Sequence, residues 1–163
     1  MSSMAEKSSP ATKGKHSLDD VSKSIIEQLQ QDGRRSYASI GKAVGLSEAA
    51  VRQRVQRLSD AGVMQIVAVT DPLQLGFGRQ AMVGVNVDGA VQPVADALSA
   101  MDEVIYVVIT AGSYDLLCEV VSTGDEQLLD LVTGRIRSVP GVRSTETFMY
   151  LKLAKQTYSW GVR

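Results

Sequence analysis

The chain has 163 residues, of which 44% are hydrophobic and 21% charged, a size and composition expected of one ordinary domain or two small ones that pack a core rather than stay disordered. No apolar run approaches the roughly 18 residues of a membrane span, no secretory signal follows the first lysines, and a lone Cys118 cannot close an internal disulfide, so a reducing cytoplasm is the expected location. The net charge of -1 is divided, with ten basic against seven acidic residues in 1–70 and seven against eleven in 71–163, which suggests polyanion contact in the first half.

Residues 1–17 form a Ser/Lys/Ala tail with too little apolar content to order itself, and it holds the only histidine, His16. Val21, Ile25, Ile26 and Leu29 then mark one face of a helix over about 19–32, capped by Asp19 or Asp20 and stopped by Gly33. Ser36 opens a second short helix, with Ala38, Ile40, Ala43 and Val44 expected inside and Gly45 at its end. Leu46-Ser47 leads into a third helix, Glu48 to Ala61, ended by Gly62, and Val63 to Val69 reads as a strand. Asp71-Pro72 and the glycines after it mark a boundary. Beyond it the pattern is strand 81–87, helix from Val91, strand 104–110, turn 112–115, strand 116–121, a helix carrying Leu128, Leu129, Val132 and Ile136, and a last strand from Val142 to Leu153. The reading is an α+β chain. It has a tail (1–17), a winged helix-turn-helix (18–70), a linker (71–78), a βαββαβ ferredoxin-like domain (79–155) and a C-terminal extension (156–163).

The third helix carries the chemistry. At about 100° per residue, Val51, Val55 and Leu58 cluster on one face, while Ala49, Arg52, Gln53, Gln56 and Asp60 point away. A DNA-reading helix needs this layout, an apolar back and a front of groups that can meet base edges. Arg suits guanine and Gln adenine, and the helix start reaches deepest, so Glu48, Ala49, Arg52 and Gln53 are base-edge candidates. Lys42 and Arg57 suit phosphate, as do Ser36 and Ser47 at their helix starts. Arg54 lies at the margin of the buried face, its stem expected to pack and its head to pair with an acid or a phosphate. Amphipathicity alone fits a solvated helix face better than a DNA-reading one.

The run Leu46-Ser47-Glu48-Ala49-Ala50-Val51-Arg52-Gln53-Arg54-Val55-Gln56-Arg57-Leu58 through Gly62-Val63 resembles the Lrp/AsnC (feast/famine) family of transcription regulators. Leu18-Asp19 and Ile25-Ile26-x-x-Leu29-x-x-Asp32-Gly33-Arg34 upstream match that family's first helix. Gly112-Ser113-Tyr114-Asp115-Leu116 and Val139-Pro140-Gly141-Val142, with Thr145 and Thr147, match its effector domain. The resemblance spans about 18–155. Departures are Ser22 where many members carry Asp, Ser39 where an acid often completes a capping box, and Gly41 for a common Ala, which should cost its helix about 1 kcal/mol.

The resemblance implies a DNA-binding regulator with a RAM-type C-terminal domain that dimerises, assembles further to a tetramer or octamer, and binds an amino acid between subunits. Val83, Val85, Val107, Ile109 and Leu151 are the surface expected between protomers. Gly112, Ser113, Tyr114 and Asp115 form the candidate effector loop. Gly112 would take a backbone conformation closed to other residues, exposed amides would hold a carboxylate, Asp115 an ammonium, and Thr145 and Thr147 would add hydroxyls. Spacing alone makes Gly-x-x-Asp an ordinary turn. Cys118 reads as core, Tyr158 and Trp160 as interface residues, and Asp125, Glu126 and Asp130 as a solvated face. No metal spacing, nucleophile motif or phosphate loop is present, so an enzyme is not expected, and no cofactor. The competing readings are a DNA-independent amino-acid sensor and a DNA-wrapping architectural protein.

Overall fold

A computed structural model describes residues 18–157 and 161–162. The tail with His16, and the pair Tyr158 and Trp160, lie outside the described residues. The described residues divide into two compact units, one made of 18–68 with 156–157 and 161–162 and one of 69–155.

In the first unit α1 (Asp20–Gln31), α2 (Tyr37–Val44) and α3 (Glu48–Asp60) each start on a side-chain cap. Asp19 accepts from the Ser22 N–H, Ser36 from Ser39 and Ser47 from Ala50, which satisfies amides that a helix start leaves orphaned. Gly45 ends α2 in the left-handed region at φ 73°. Ile25, Leu29, Ile40, Val51 and Val55 form the core.

Two expectations fail here. Ala38 and Ala43 are exposed, and the inner face of α2 is Ile40 and Gly41, with Tyr37 and Val44 half-buried beside them. A Cβ on Gly41 would stand 2.4 Å from the Leu46 carbonyl oxygen, so the glycine admits the α2–α3 turn rather than merely weakening the helix. Val63 to Val69 forms no strand among the described residues. Among its described residues the unit has no second strand to supply a ladder, and Val67 is left 67% exposed. Among the described residues the helix-turn-helix therefore has no paired wing.

In the second unit a short 3-10 turn (Pro72–Leu75) precedes β1 (Arg79–Val87), α4 (Val91–Ser99), β2 (Val104–Ile109), β3 (Leu116–Ser122), α5 (Asp125–Leu129) and β4 (Val142–Met149). The sheet order is β2-β3-β1-β4 and every pair is antiparallel, the ferredoxin-like arrangement. One face is covered by helices. Ala81, Val83, Val85, Leu116, Cys118 and Val120 pack there against Val94, Leu98, Leu128, Leu131 and Ile136.

Between α5 and β4 the backbone runs as a π-helix over Asp130–Ile136. Its wider turn replaces the 3.6-residue period. Leu131 and Ile136, five apart, are buried, and Leu129 is exposed, where α-helical spacing predicted Leu129 inside. The last strand stops at Met149 rather than Leu153, and Leu151 is 97% exposed.

Val83, Val85 and Val107 are not available between protomers, because they face the helices. Leu151 lies beyond the last strand, and Ile109 is exposed but ends β2 opposite the buried Leu116. Cross-strand partners share a face, so the uncovered face carries Met82, Gly84, Tyr106, Val108, Leu117, Glu119, Glu146 and Phe148.

Candidate nucleic-acid interface and effector region

On α3 the inner residues are Val51, Val55 and Leu58, and Arg52, Gln53, Gln56 and Arg57 are exposed. Ser36, Lys42, Ser47, Glu48 and Ala49 are exposed as well. The expected front and back of the helix are thus both present. Ser36 and Ser47 are committed to capping. Lys42, Gln53 and Arg57 make no side-chain hydrogen bond or ion pair among the described residues. Arg52 is engaged on two sides. Its Nη2 donates to Glu48 Oε1 at 2.8 Å, and its guanidinium carbon lies 5.2 Å from the centre of the Tyr37 ring. Periodicity gave no hint of Tyr37, which enters the site through the approach of α2 to α3.

Arg54 takes the structural role. Its Nη1 donates to Asp19 Oδ2 at 2.6 Å and to Ser22 Oγ at 3.1 Å. Hydrogen bonds from Ser22 and from Arg54 hold the Asp19 carboxyl at about 2, well below the usual carboxylate range. Ser22 is buried and its hydroxyl accepts from this arginine.

In the second unit the loop 112–115 joins β2 to β3. Gly112 is exposed, a Cβ there would meet nothing, and its φ lies outside the left-handed region. The expectation that it needs a glycine-only conformation is overturned. Ser113 is exposed. Asp115 faces inward along the backbone. Its Oδ2 accepts from the Val87 N–H at 2.8 Å, and its own N–H donates to Val85 O at 3.0 Å. The carboxylate thereby satisfies the strand at the β1–β4 register shift between Asn86 and Val87.

Tyr114 lies on the uncovered face. A Cβ on Gly84 would come within 2.7 Å of its ring, so only glycine leaves room for it. The Tyr114 hydroxyl donates to Glu146, and its ring meets Phe148 edge-on at 5.9 Å. The hydrogen bond to Glu146, with burial adding to it, raises the Tyr114 pKa. Beyond it, Gln80 donates to Glu119 at 2.6 Å, and burial, with Glu119 nearby, pushes Tyr150 up to about 12.

Thr145 and Thr147 pair with Val85 and Val83 and so share the helix side of the sheet. Thr147 borders a shallow groove of about 390 Å³ with Leu128, Leu129, Val132 and Thr133. The six candidate effector residues therefore divide between the two faces, with Tyr114 on one and the threonines on the other. Cys118 is buried, and burial raises its thiol to about 11, as befits a core residue. Asp125, Glu126 and Asp130 are exposed, and Asp125 pairs with Arg79 at 2.5 Å.

Comparison with known proteins decides the family. Residues 18–59 match the AsnC-type helix-turn-helix domain, and residues 77–163 match the C-terminal dimeric α+β barrel domain of AsnC-type transcription regulators. The chain belongs to the Lrp/AsnC family. As a member it is a transcription regulator, not an enzyme, and its helix-turn-helix is a DNA-binding domain.

Among its relatives is the HTH-type transcriptional regulator FL11 of Pyrococcus horikoshii, 36% identical over 145 residues, a match covering 86% of this chain and 93% of the relative. The regulatory protein AsnC of Escherichia coli is 28% identical, covering 83% and 91%. Of the solved structures, the leucine response regulatory protein of Mycobacterium tuberculosis superposes with a TM-score of 0.77 at 30% identity, over 85% of this chain and 96% of that one. A Neisseria meningitidis transcriptional regulator in complex with L-Met superposes with a TM-score of 0.76 at 25% identity, over 90% and 97%.

Proposed function

We propose that this Lrp/AsnC protein reads duplex DNA in a sequence-selective way as a dimer, and that an amino acid alters that binding. The observation that carries the reading is α3. Val51, Val55 and Leu58 are buried behind it, and Glu48, Ala49, Arg52 and Gln53 are exposed at its N-terminal end, the end that reaches base edges in a major groove. Lys42 and Arg57 supply phosphate contacts, with the exposed Ser36 and Ser47 beside them.

The uncovered sheet face supports dimerisation. Tyr106 and Phe148 are 52% and 43% exposed there, beside half-buried Met82, Val108 and Leu117, and a soluble protein covers such a surface. A twofold pair would present two copies of α3 to a pseudo-palindromic site. The amino-acid effector is proposed from the L-Met complex of the Neisseria relative, with loop 112–115 as its seat.

Selection from a random duplex library, with and without a panel of amino acids, tests the whole reading. The expected result is one recovered motif, bound more tightly than random duplex at every salt concentration, with occupancy changed by one class of amino acid. Recovery of no motif at low ionic strength would sink the sequence-selective part.

A further inference from the structure

Among the base-edge candidates on α3, Arg52 is held in place from two sides. Its guanidinium lies over the face of Tyr37, and one terminal nitrogen is taken by Glu48. Both ends of that ion pair are largely open to solvent, at 65% for Arg52 and 53% for Glu48, so the pair adds little to stability. Its geometry has a different consequence. A free arginine loses rotamer entropy when it docks, and a clamped one has lost it beforehand. The carboxylate also neutralises the guanidinium locally and repels an approaching phosphate. Base edges gain from this arrangement and phosphates do not.

We infer that Tyr37 and Glu48 are positioning residues that hold Arg52 ready for a guanine edge and withhold its charge from the phosphate backbone, making this trio the specificity-determining element of the helix. The inference rests on α3 being the DNA-facing helix. Tyr37 supplies a flat surface that keeps the planar fork extended. Glu48 occupies one nitrogen and leaves the other donors of the fork free for a guanine edge. Lys42 and Arg57, which have no such partners among the described residues, carry the charge that binds any duplex.

The test uses the full chain and two probes, the duplex recovered by wild-type selection and a random duplex of equal length. Tyr37→Leu should weaken binding to the selected duplex about two- to fivefold, the size of an exposed cation–π contact, and leave the random duplex unchanged. Tyr37→Phe, which keeps the ring, should restore wild-type discrimination. Glu48→Gln should tighten binding to the random duplex and steepen its log–log salt dependence by about one, one added phosphate contact. Circular dichroism checks that Tyr37→Leu folds; if it does not, the exposed Glu48 decides alone.

Equal losses on both duplexes for Tyr37→Leu, or a Tyr37→Phe protein that behaves like it, would overturn the inference. So would a Glu48→Gln protein whose random-duplex affinity and salt slope match wild type, or one that simply selects a different base and so shows Glu48 to be a direct reader. If wild type recovers no motif at all, the fault lies with the DNA reading of α3 and not with the clamp.

Discussion

Arg54 donates to the Asp19 carboxylate at 2.6 Å, tying the middle of α3 to the cap of α1. The same carboxylate accepts the Ser22 N–H at 2.7 Å. It thus caps one helix and anchors another.

Titration of Asp19 should follow from this. Its pKa in the folded chain is about 2 against an ordinary 3.8. A depressed carboxylate stabilises the fold above its unfolded pKa, and that contribution is lost as pH falls toward the folded value. Thermal melts of wild type should therefore lose ground to Asp19→Asn between pH about 4 and 2. The variant keeps a capping side chain but not the charge, and should start with the lower midpoint at neutral pH. Parallel curves for the two proteins across that window would contradict the assignment.

Gly84 is predicted to be the least replaceable position on the uncovered face. A methyl there meets the Tyr114 ring at 2.7 Å, and the ring is fixed by Glu146 and Phe148. Gly84→Ala should cost about 1–3 kcal/mol, the usual range for overpacking. Adding Tyr114→Ala should relieve most of that penalty. A double-mutant cycle by denaturant unfolding checks it, since additive losses would mean that the two residues do not collide.

What could be read from the sequence and what could not divides along periodicity. The face of α3 was legible because Val51, Val55 and Leu58 obey a single 3.6-residue period between Ser47 and Gly62. The pairing of Arg54 with an acid was legible as a class, from its place at the margin of that face. The covered side of the sheet was not. β1 alternates Val83 and Val85 with Met82 and Gly84, and period two separates two faces without saying which of them the helices cover. Thr145 and Thr147 are grouped with Tyr114 by the resemblance alone, and cross-strand register puts them on opposite sides. Leu131 was missed because the π-turn replaces the spacing used to find it. Asp115 was seen as a turn acid, but its bond to Val87, 28 residues earlier, leaves no local signal.

Asp115 consequently has two separable roles to test. Asp115→Ala leaves the Val87 N–H without its partner and should cost roughly 1–3 kcal/mol. Asp115→Asn keeps an acceptor oxygen and removes the charge, so it should melt close to wild type. If the carboxylate also holds an effector ammonium group, Asp115→Asn should lose amino-acid binding in calorimetry while keeping its fold. A stable Asp115→Asn protein with unchanged effector affinity would confine the residue to its structural bond.

Leu117 offers a direct test of which sheet face joins protomers. It sits on β3 between Gly84 of β1 and Val108 of β2, in the middle of the uncovered face. In a free protomer it is half-buried, and a lysine there can carry its ammonium group out to water along a flexible stem. Between two facing sheets the same ammonium would be enclosed without a placed partner, at a penalty of several kcal/mol for an uncompensated ion. Leu117→Lys should therefore weaken the dimer by at least about a hundredfold while leaving the helical signal and the protomer's melt nearly intact. Light scattering over a dilution series reads the mass directly. A Leu117→Lys protein that remains dimeric at the concentrations where wild type does would move the interface off this face, and the pairing of two recognition helices would then need another geometry.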